Sequence, residues 1–211
     1  MDIIRKNSHS RYTILYYESA DIDGFDCRDE FANLIHRTGS KRYYKRAHEW
    51  CCGHGAIGFK LLETGLCKHL VLTDKHQPAT VGCEFTVALN DLRQHVSVYN
   101  SDSLGTLPES EQWDLFVANP PWRSQILPGP DLSNDLKRKM FDIGWQVHAD
   151  MWANIKQHVT NDADIYIYED NRFSTIDTWQ SDIDRCGLKV QNVYTNFGII
   201  SSGYVMHLKV K

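Results

Sequence analysis

From residue 49 to the C-terminus, short apolar runs alternate with longer amphipathic stretches, a pattern that predicts βα units on a largely parallel sheet. The apolar runs place strands at residues 47–52, 69–74, 96–99, 114–118, 163–169, 188–194 and 204–210. Helices are expected over 56–64, 79–92, 134–158 and 174–185. In the third of these, Met140, Ile143, Val147, Met151 and Ile155 recur every three or four positions, so that one face should pack on the sheet. Only residues 195–203 join the last two strands. That is too short for a helical crossover, so the pair should run antiparallel. The expected fold class is α/β: a doubly wound, mostly parallel seven-stranded sheet ending in an antiparallel hairpin.

Before residue 49 the chain is polar and irregular, with a strand expected at 12–17 and a helix at 28–36. We read residues 1–48 as a lead-in or cap and 49–211 as the functional domain. A chain of 211 residues, 42% hydrophobic, builds one core. The net charge of -4 exerts no global pull on a phosphate backbone, so nucleic-acid binding would need a local basic patch. No apolar leader or bilayer-length run occurs, and the expectation is a soluble cytoplasmic protein with no membrane partner. The six cysteines lack framework spacing and are expected to be reduced.

Three segments carry chemistry. In the run Glu49-Trp50-Cys51-Cys52-Gly53-His54-Gly55-Ala56-Ile57-Gly58, a strand passes through glycines into a helix, a turn that lets a small cofactor approach the backbone. Asp74 closes the next strand, where a carboxylate can accept hydrogen bonds from ribose hydroxyls. Asp102 follows the third strand and is placed to accept from an exocyclic amine such as that of adenine. The run Asp114-Leu115-Phe116-Val117-Ala118-Asn119-Pro120-Pro121-Trp122 then puts two prolines behind a buried strand. The carbonyls of Asn119 and Pro120 are left to point at a ligand. An amide or aromatic amine is a poor nucleophile, because its lone pair is delocalised. Acceptors at Asn119 Oδ1 and the Pro120 carbonyl would hold its N–H bonds and aim the lone pair at an electrophile, and Trp122 offers a flat face for stacking.

In this order and at these spacings, Glu49 to Gly58, Asp74, Asp102 and Asn119 to Trp122 resemble the class I methyltransferases with an Asn-Pro-Pro-aromatic motif. The release-factor glutamine methyltransferases are the most similar, and the adenine-N6 and guanine-N2 RNA and DNA methyltransferases share the motif. The resemblance covers 49–211 as a fold. It implies that Glu49, Cys51, Gly53, Gly55, Asp74, Asp102 and Asn119 surround S-adenosylmethionine, and that Asn119, Pro120, Pro121 and Trp122 grip the target nitrogen. Two departures stand out: Cys51 occupies the place of the first glycine, and Trp122 replaces the commoner tyrosine or phenylalanine.

Other readings compete at several positions. A glycine turn alone can be an ordinary connection. His48, Cys51, Cys52 and His54 alternate across a strand end, a poor arrangement for zinc, and no metal is expected. Arg37, Lys41, Arg42, Lys45 and Arg46 interleave with Tyr43 and Tyr44, either as a solvated linker or as a nucleic-acid patch. The net acidity tips the acceptor toward a protein glutamine, and that patch tips it back toward an RNA or DNA base. A protein that activates the enzyme and a non-catalytic adenosyl-binding module are the remaining readings.

Overall fold

The structure is a computed structural model that describes residues 4–8, 11–18, 24–125, 137, 140–197 and 201–211. Strands β1 (Ile4–Asn7) and β2 (Ile14–Tyr17) form an antiparallel hairpin, followed by helix α1 (Gly24–Thr38). Then come β3 (Tyr44–Trp50), α2 (Ala56–Glu63), β4 (Cys67–Asp74), α3 (Gln77–Leu89), β5 (Val96–Asn100) and β6 (Trp113–Ala118). The chain ends with α4 (Gln146–Asn154), β7 (Val159–Asp170), α5 (Ile176–Arg185), β8 (Leu188–Thr195) and β9 (Gly203–Val210).

The main sheet has seven strands in the order β5-β4-β3-β6-β7-β9-β8. Strands β3 to β7 pair in parallel, and β9 runs antiparallel between β7 and β8, as the short final connection requires. Central strand β6 is buried at every position, because helices cover both of its faces. On one face, Phe31 and Ile35 of α1, Ile57 and Leu61 of α2 and Cys83 of α3 pack over Leu70, Leu72, Leu115 and Val117. On the other, Met151 and Trp152 of α4 with Trp179 and Ile183 of α5 cover Phe116, Ile165, Ile167 and Met206. Strand residues alternate between the two cores, as a period of two dictates.

Several boundaries differ from the sequence pattern. Helix α3 begins at Gln77, before the expected residue 79, because Pro78 fits the first turn. The helix expected over 134–158 is much shorter; residues 126–136, 138 and 139 lie outside the described chain. Gly144 (φ 65°) and Trp145 (φ 58°) take left-handed conformations, which no α-helix continues through. The carboxylate of Asp142 accepts instead from the N–H groups of Val147 and His148 at 2.9 and 3.0 Å, capping α4 from outside. The apolar stripe breaks accordingly: Met151 and Ile155 are buried, whereas Ile143 is 51% exposed.

Three buried carboxylates, Glu49, Asp142 and Glu169, brace the elements behind the sheet's carboxyl edge. Glu49 Oε2 accepts the Gly58 N–H at 2.7 Å, satisfying an orphan donor of the first turn of α2. A Cβ on Gly58 would lie 2.7 Å from both that oxygen and Leu70, so only glycine allows this approach. Burial pushes the Glu49 carboxyl up from 4.5 to about 8. Between α4 and β7, fully buried His148 bonds Asp142 through Nδ1 and Glu169 through Nε2, both at 2.7 Å, and stacks on Trp179 at 4.6 Å. Burial alone would strip its proton, but Glu169 and Asp142 outweigh that and lift its pKa from 6.5 to about 9.

Both shifts make the folded state hold protons that the unfolded chain releases. The Glu49 contribution is fully present below its unfolded value of 4.5 and is lost as pH rises through about 8. The His148 contribution is present below 6.5 and is lost through about 9. Between about pH 5 and 6.5 only the first of these operates, with a slope of at most about 1.4 kcal/mol per pH unit. Relative to the parent, Glu49→Gln should remove the part of the Tm decline that runs through this window to about pH 8 and keep the His148 part that ends near 9; buried His48, held well below 6.5, acts in the opposite sense in both proteins. A full decline retained at the acid end would contradict this assignment of Glu49.

Candidate active site

The sheet's strand order reverses between β3 and β6, and in such sheets a crevice opens outside the carboxyl ends of the strands. A cleft with about 650 Å³ of empty space lies there. Trp50, Cys51 and Gly53 line it from the end of β3, and Thr73, Asp74, Lys75, His76 and Ala79 from β4 and the start of α3. Ser101 and Asp102 follow β5, Asn119 and Pro121 follow β6, and Val147 comes from α4.

The turn is built by residues that accept left-handed backbone: Cys51 and Gly53 both at φ 53°, Gly55 at φ 75°. Cys51 therefore stands in a conformation that favours glycine, at a cost of roughly 1–2 kcal/mol for an L-residue. The Gly53 N–H donates to Asp74 Oδ2 at 2.8 Å, and the His76 N–H donates to Oδ1 at 2.8 Å. Asp74 is thus fixed by one donor from the glycine turn and one from the start of α3, with its carboxylate on the cleft wall. Burial pushes the Cys51 thiol well above its ordinary value, so it presents a neutral S–H and no thiolate.

Six of the expected site residues, Cys51, Gly53, Asp74, Asp102, Asn119 and Pro121, meet in this one cleft. Four do not line it. Glu49 is buried behind the turn on Gly58. Gly55 caps α2, where a Cβ would meet Phe59 at 2.8 Å. Pro120 is buried, and Trp122 packs beside the cleft, its ring centroid 5.5 Å from that of Phe173. The wall residues Trp50, Thr73 and Val147 escaped sequence reasoning. Trp50 and Thr73 could have been read off as strand-end neighbours of Cys51 and Asp74, whereas Val147 reaches the cleft only through the Asp142 cap.

The basic segment lies at the opposite, amino-terminal edge of the sheet, before and within the start of β3. Lys41 pairs with Asp114 and Asp162 at 3.2 and 2.8 Å, and Arg46 grips Glu111 through two bonds of 2.6 and 2.7 Å. Tyr44 is buried, with its hydroxyl donating to Asp164 at 2.6 Å. These charges fasten β3 to its neighbours and do not face the cleft. All six cysteines are free thiols. His48 bonds Thr73 Oγ1 at 2.7 Å and packs its ring against Trp113, tilted by 32°, and no group of potential metal ligands occurs among the described residues. Nor is any described helix long and apolar enough to cross a membrane.

With this geometry in view, the comparisons with known proteins agree. The Methyltransferase small domain family matches residues 29–144, more than half of the chain, and the chain belongs to that family. It is an S-adenosylmethionine-dependent methyltransferase with the class I fold. Among curated proteins, none matches it by sequence. Among solved structures, the 16S rRNA N2 G1207 methyltransferase of T. thermophilus, in complex with AdoMet and guanosine, superposes with a TM-score of 0.65 at 12% identity, over 100% of this chain and 50% of that one. The ribosomal protein L11 methylase of Lactobacillus delbrueckii subsp. bulgaricus gives 0.61 at 16% identity, over 87% and 78%. The mitomycin 7-O-methyltransferase gives 0.59 at 10%, over 86% and 53%. Chains whose names indicate RNA, protein and small-molecule acceptors thus share the fold.

The donor set fits the cofactor. Asp74 and Asp102 offer acceptors for hydroxyl and amine groups, and Trp50, Ala79 and Val147 supply apolar walls. Asp74→Ala should weaken S-adenosylhomocysteine binding about tenfold or more, since a charge-assisted hydrogen bond is worth about 1.5–3 kcal/mol. Titration calorimetry checks this; equal affinity in the two proteins would remove Asp74 from the cofactor site.

Proposed function

We propose that this methyltransferase acts on nitrogen, in a planar amide or an exocyclic amine. The observation that carries the reading is the placement of Asn119 and Pro121 on the wall of the cleft that also holds Asp74 and Asp102. The two prolines fix the backbone beyond β6 and remove its donors, so this edge presents acceptors. When bound, the cofactor would supply an electrophilic methyl on a sulfonium, with a neutral thioether as the leaving group once the carbon–sulfur bond gives way to the new nitrogen–carbon bond. Asn119 Oδ1, on the cleft wall, accepts an N–H bond of the acceptor and turns its lone pair toward that methyl, while Pro120 and Pro121 hold the turn rigid. The methylated nitrogen is then strongly acidic and gives its proton to water, so the step needs no dedicated base. Catalysis rests on orientation in a cleft walled by Trp50 and Val147.

Asn119→Ala should lower kcat about a hundredfold on an identified acceptor, the order expected when a reacting atom is misplaced by about 1 Å. Its affinity for S-adenosylhomocysteine should stay close to that of the parent protein. Full turnover in the variant would redirect the assignment to oxygen or carbon.

A further inference from the structure

The chain that leaves the Asn119–Trp122 turn carries an arrangement the methyl-transfer step leaves unused. Arg123 lays its guanidinium against three aromatic rings, its Cζ 4.7 Å from the centroid of Trp122, 5.3 Å from Phe173 and 5.7 Å from Phe141. Arg172, from the connection between β7 and α5, reaches two of the same rings at 5.9 and 5.6 Å. Two cations therefore share one aromatic patch. The carboxylate that accompanies them, buried Asp170, is taken by Arg172, whose Nε lies 3.0 Å from both of its oxygens and whose Nη2 bonds one of them. Among the described residues Arg123 has no ion pair, and its Nε is buried without a hydrogen-bond partner.

An unsatisfied buried donor is costly, and two guanidinium groups over the same rings repel. Burial and the Arg172 charge push the pKa of Arg123 down against the opposing charge of Asp170, and among the described residues that one carboxylate accompanies both cations. An oxyanion beside the two guanidinium groups would offset their repulsion. Three rings already surround the Arg123 guanidinium, so little ordering remains to be done on binding. Arg123 stands four positions beyond Asn119, a span of at most about 14 Å, the scale of a single nucleotide.

We propose that Arg123 and Arg172 form an anion subsite that takes a phosphate of the methyl acceptor, which is therefore a nucleotide unit with its base at Asn119 and its phosphate at the arginines. The assignment of the base rests on the nitrogen-directed reading above. The aromatic patch favours a nucleotide over an acidic peptide, because guanidinium groups stacked on rings suit phosphate recognition beside a planar base. The phosphate belongs either to a free nucleotide or to a nucleic-acid backbone.

The test uses the full chain saturated with S-adenosylhomocysteine. Affinities are measured for adenosine against adenosine 5′-monophosphate, for guanosine against guanosine 5′-monophosphate, for a short labelled single-stranded RNA, and for a glutamate-rich peptide. At least one phosphorylated ligand should bind about tenfold more tightly than its nucleoside or the peptide, and Arg172→Gln and Arg123→Met should each remove about tenfold of that binding. Monophosphate binding identifies a free nucleotide. Binding of RNA alone, with a salt slope reduced by about one per arginine removed, identifies a backbone phosphate. S-adenosylhomocysteine affinity should remain within about twofold in both variants, which also reports that they are folded; Arg172, with half of its side chain exposed, serves if Arg123→Met loses its fold. The proposal is overturned if phosphate confers no advantage, if Arg172→Gln binds like the parent, or if the peptide shows the same dependence on the arginines. No methyl transfer enters this measurement, so an oxygen-methylated product would overturn the nitrogen reading and leave the anion subsite standing.

Discussion

Parallel strands can be joined only by crossovers, and here successive crossovers leave β3 in opposite directions: toward β4 and β5 on one side, toward β6 and β7 on the other. No helix can cover the carboxyl ends of β3 and β6 together, so the crevice is a consequence of topology before any side chain is chosen. Backbone donors at those strand ends and at the start of the following helices then need acceptors. Glu49 serves the first turn of α2, and Asp74 joins the glycine turn to the start of α3. Cofactor-side chemistry and helix capping are thus met by the same class of residue, one carboxylate facing inward and the other facing the cleft.

The far wall of the cleft has a different origin. Val147 is held there because Asp142 caps α4, and Asp142 is held by His148, which in turn binds Glu169. A buried imidazolium between two carboxylates is expensive to desolvate, and such groups are retained where they fix one arrangement among several. Here the arrangement fixed is the entry of α4, where left-handed Gly144 and Trp145 turn the chain toward the sheet. Ser174 donates to the second oxygen of Glu169 at 2.8 Å and ties the beginning of the α5 connection into the same network.

At the opposite edge of the sheet, another buried carboxylate, Asp164, accepts from the Ser40 N–H, the Tyr44 hydroxyl and Lys209, and contacts His207 Nε2 at 2.7 Å. Together with Asp114 and Glu111 it fastens the strand beginnings. Charge is therefore divided by edge. At the amino edge the cations Lys41, Arg46 and Lys209 are neutralised by carboxylates. Beyond the Asn119–Trp122 turn, Arg123 and Arg172 stand with one carboxylate between them among the described residues. The distribution explains how a chain of net charge -4 can still present a local positive site.

Alternation of apolar runs and amphipathic stretches was enough to specify the seven strands, their parallel core and the closing hairpin, because strand and helix periods are local properties of the chain. The strand-end positions of Asp74, Asp102 and Asn119 followed from the same local reading. The break before α4 was not legible, since Met140 to Ile155 keep helical spacing while the Asp142 cap depends on a histidine buried by α5 and β7. Nor could sequence place Glu49 behind the turn, Trp122 beside Phe173, or the Lys41 to Arg46 segment at the far edge. Each of those outcomes depends on contacts between residues distant along the chain, such as Lys41 with Asp114 and Arg46 with Glu111. Residue identity and spacing determined which groups were available at the strand ends; only packing decided which of them face the cleft and which are consumed in holding it open.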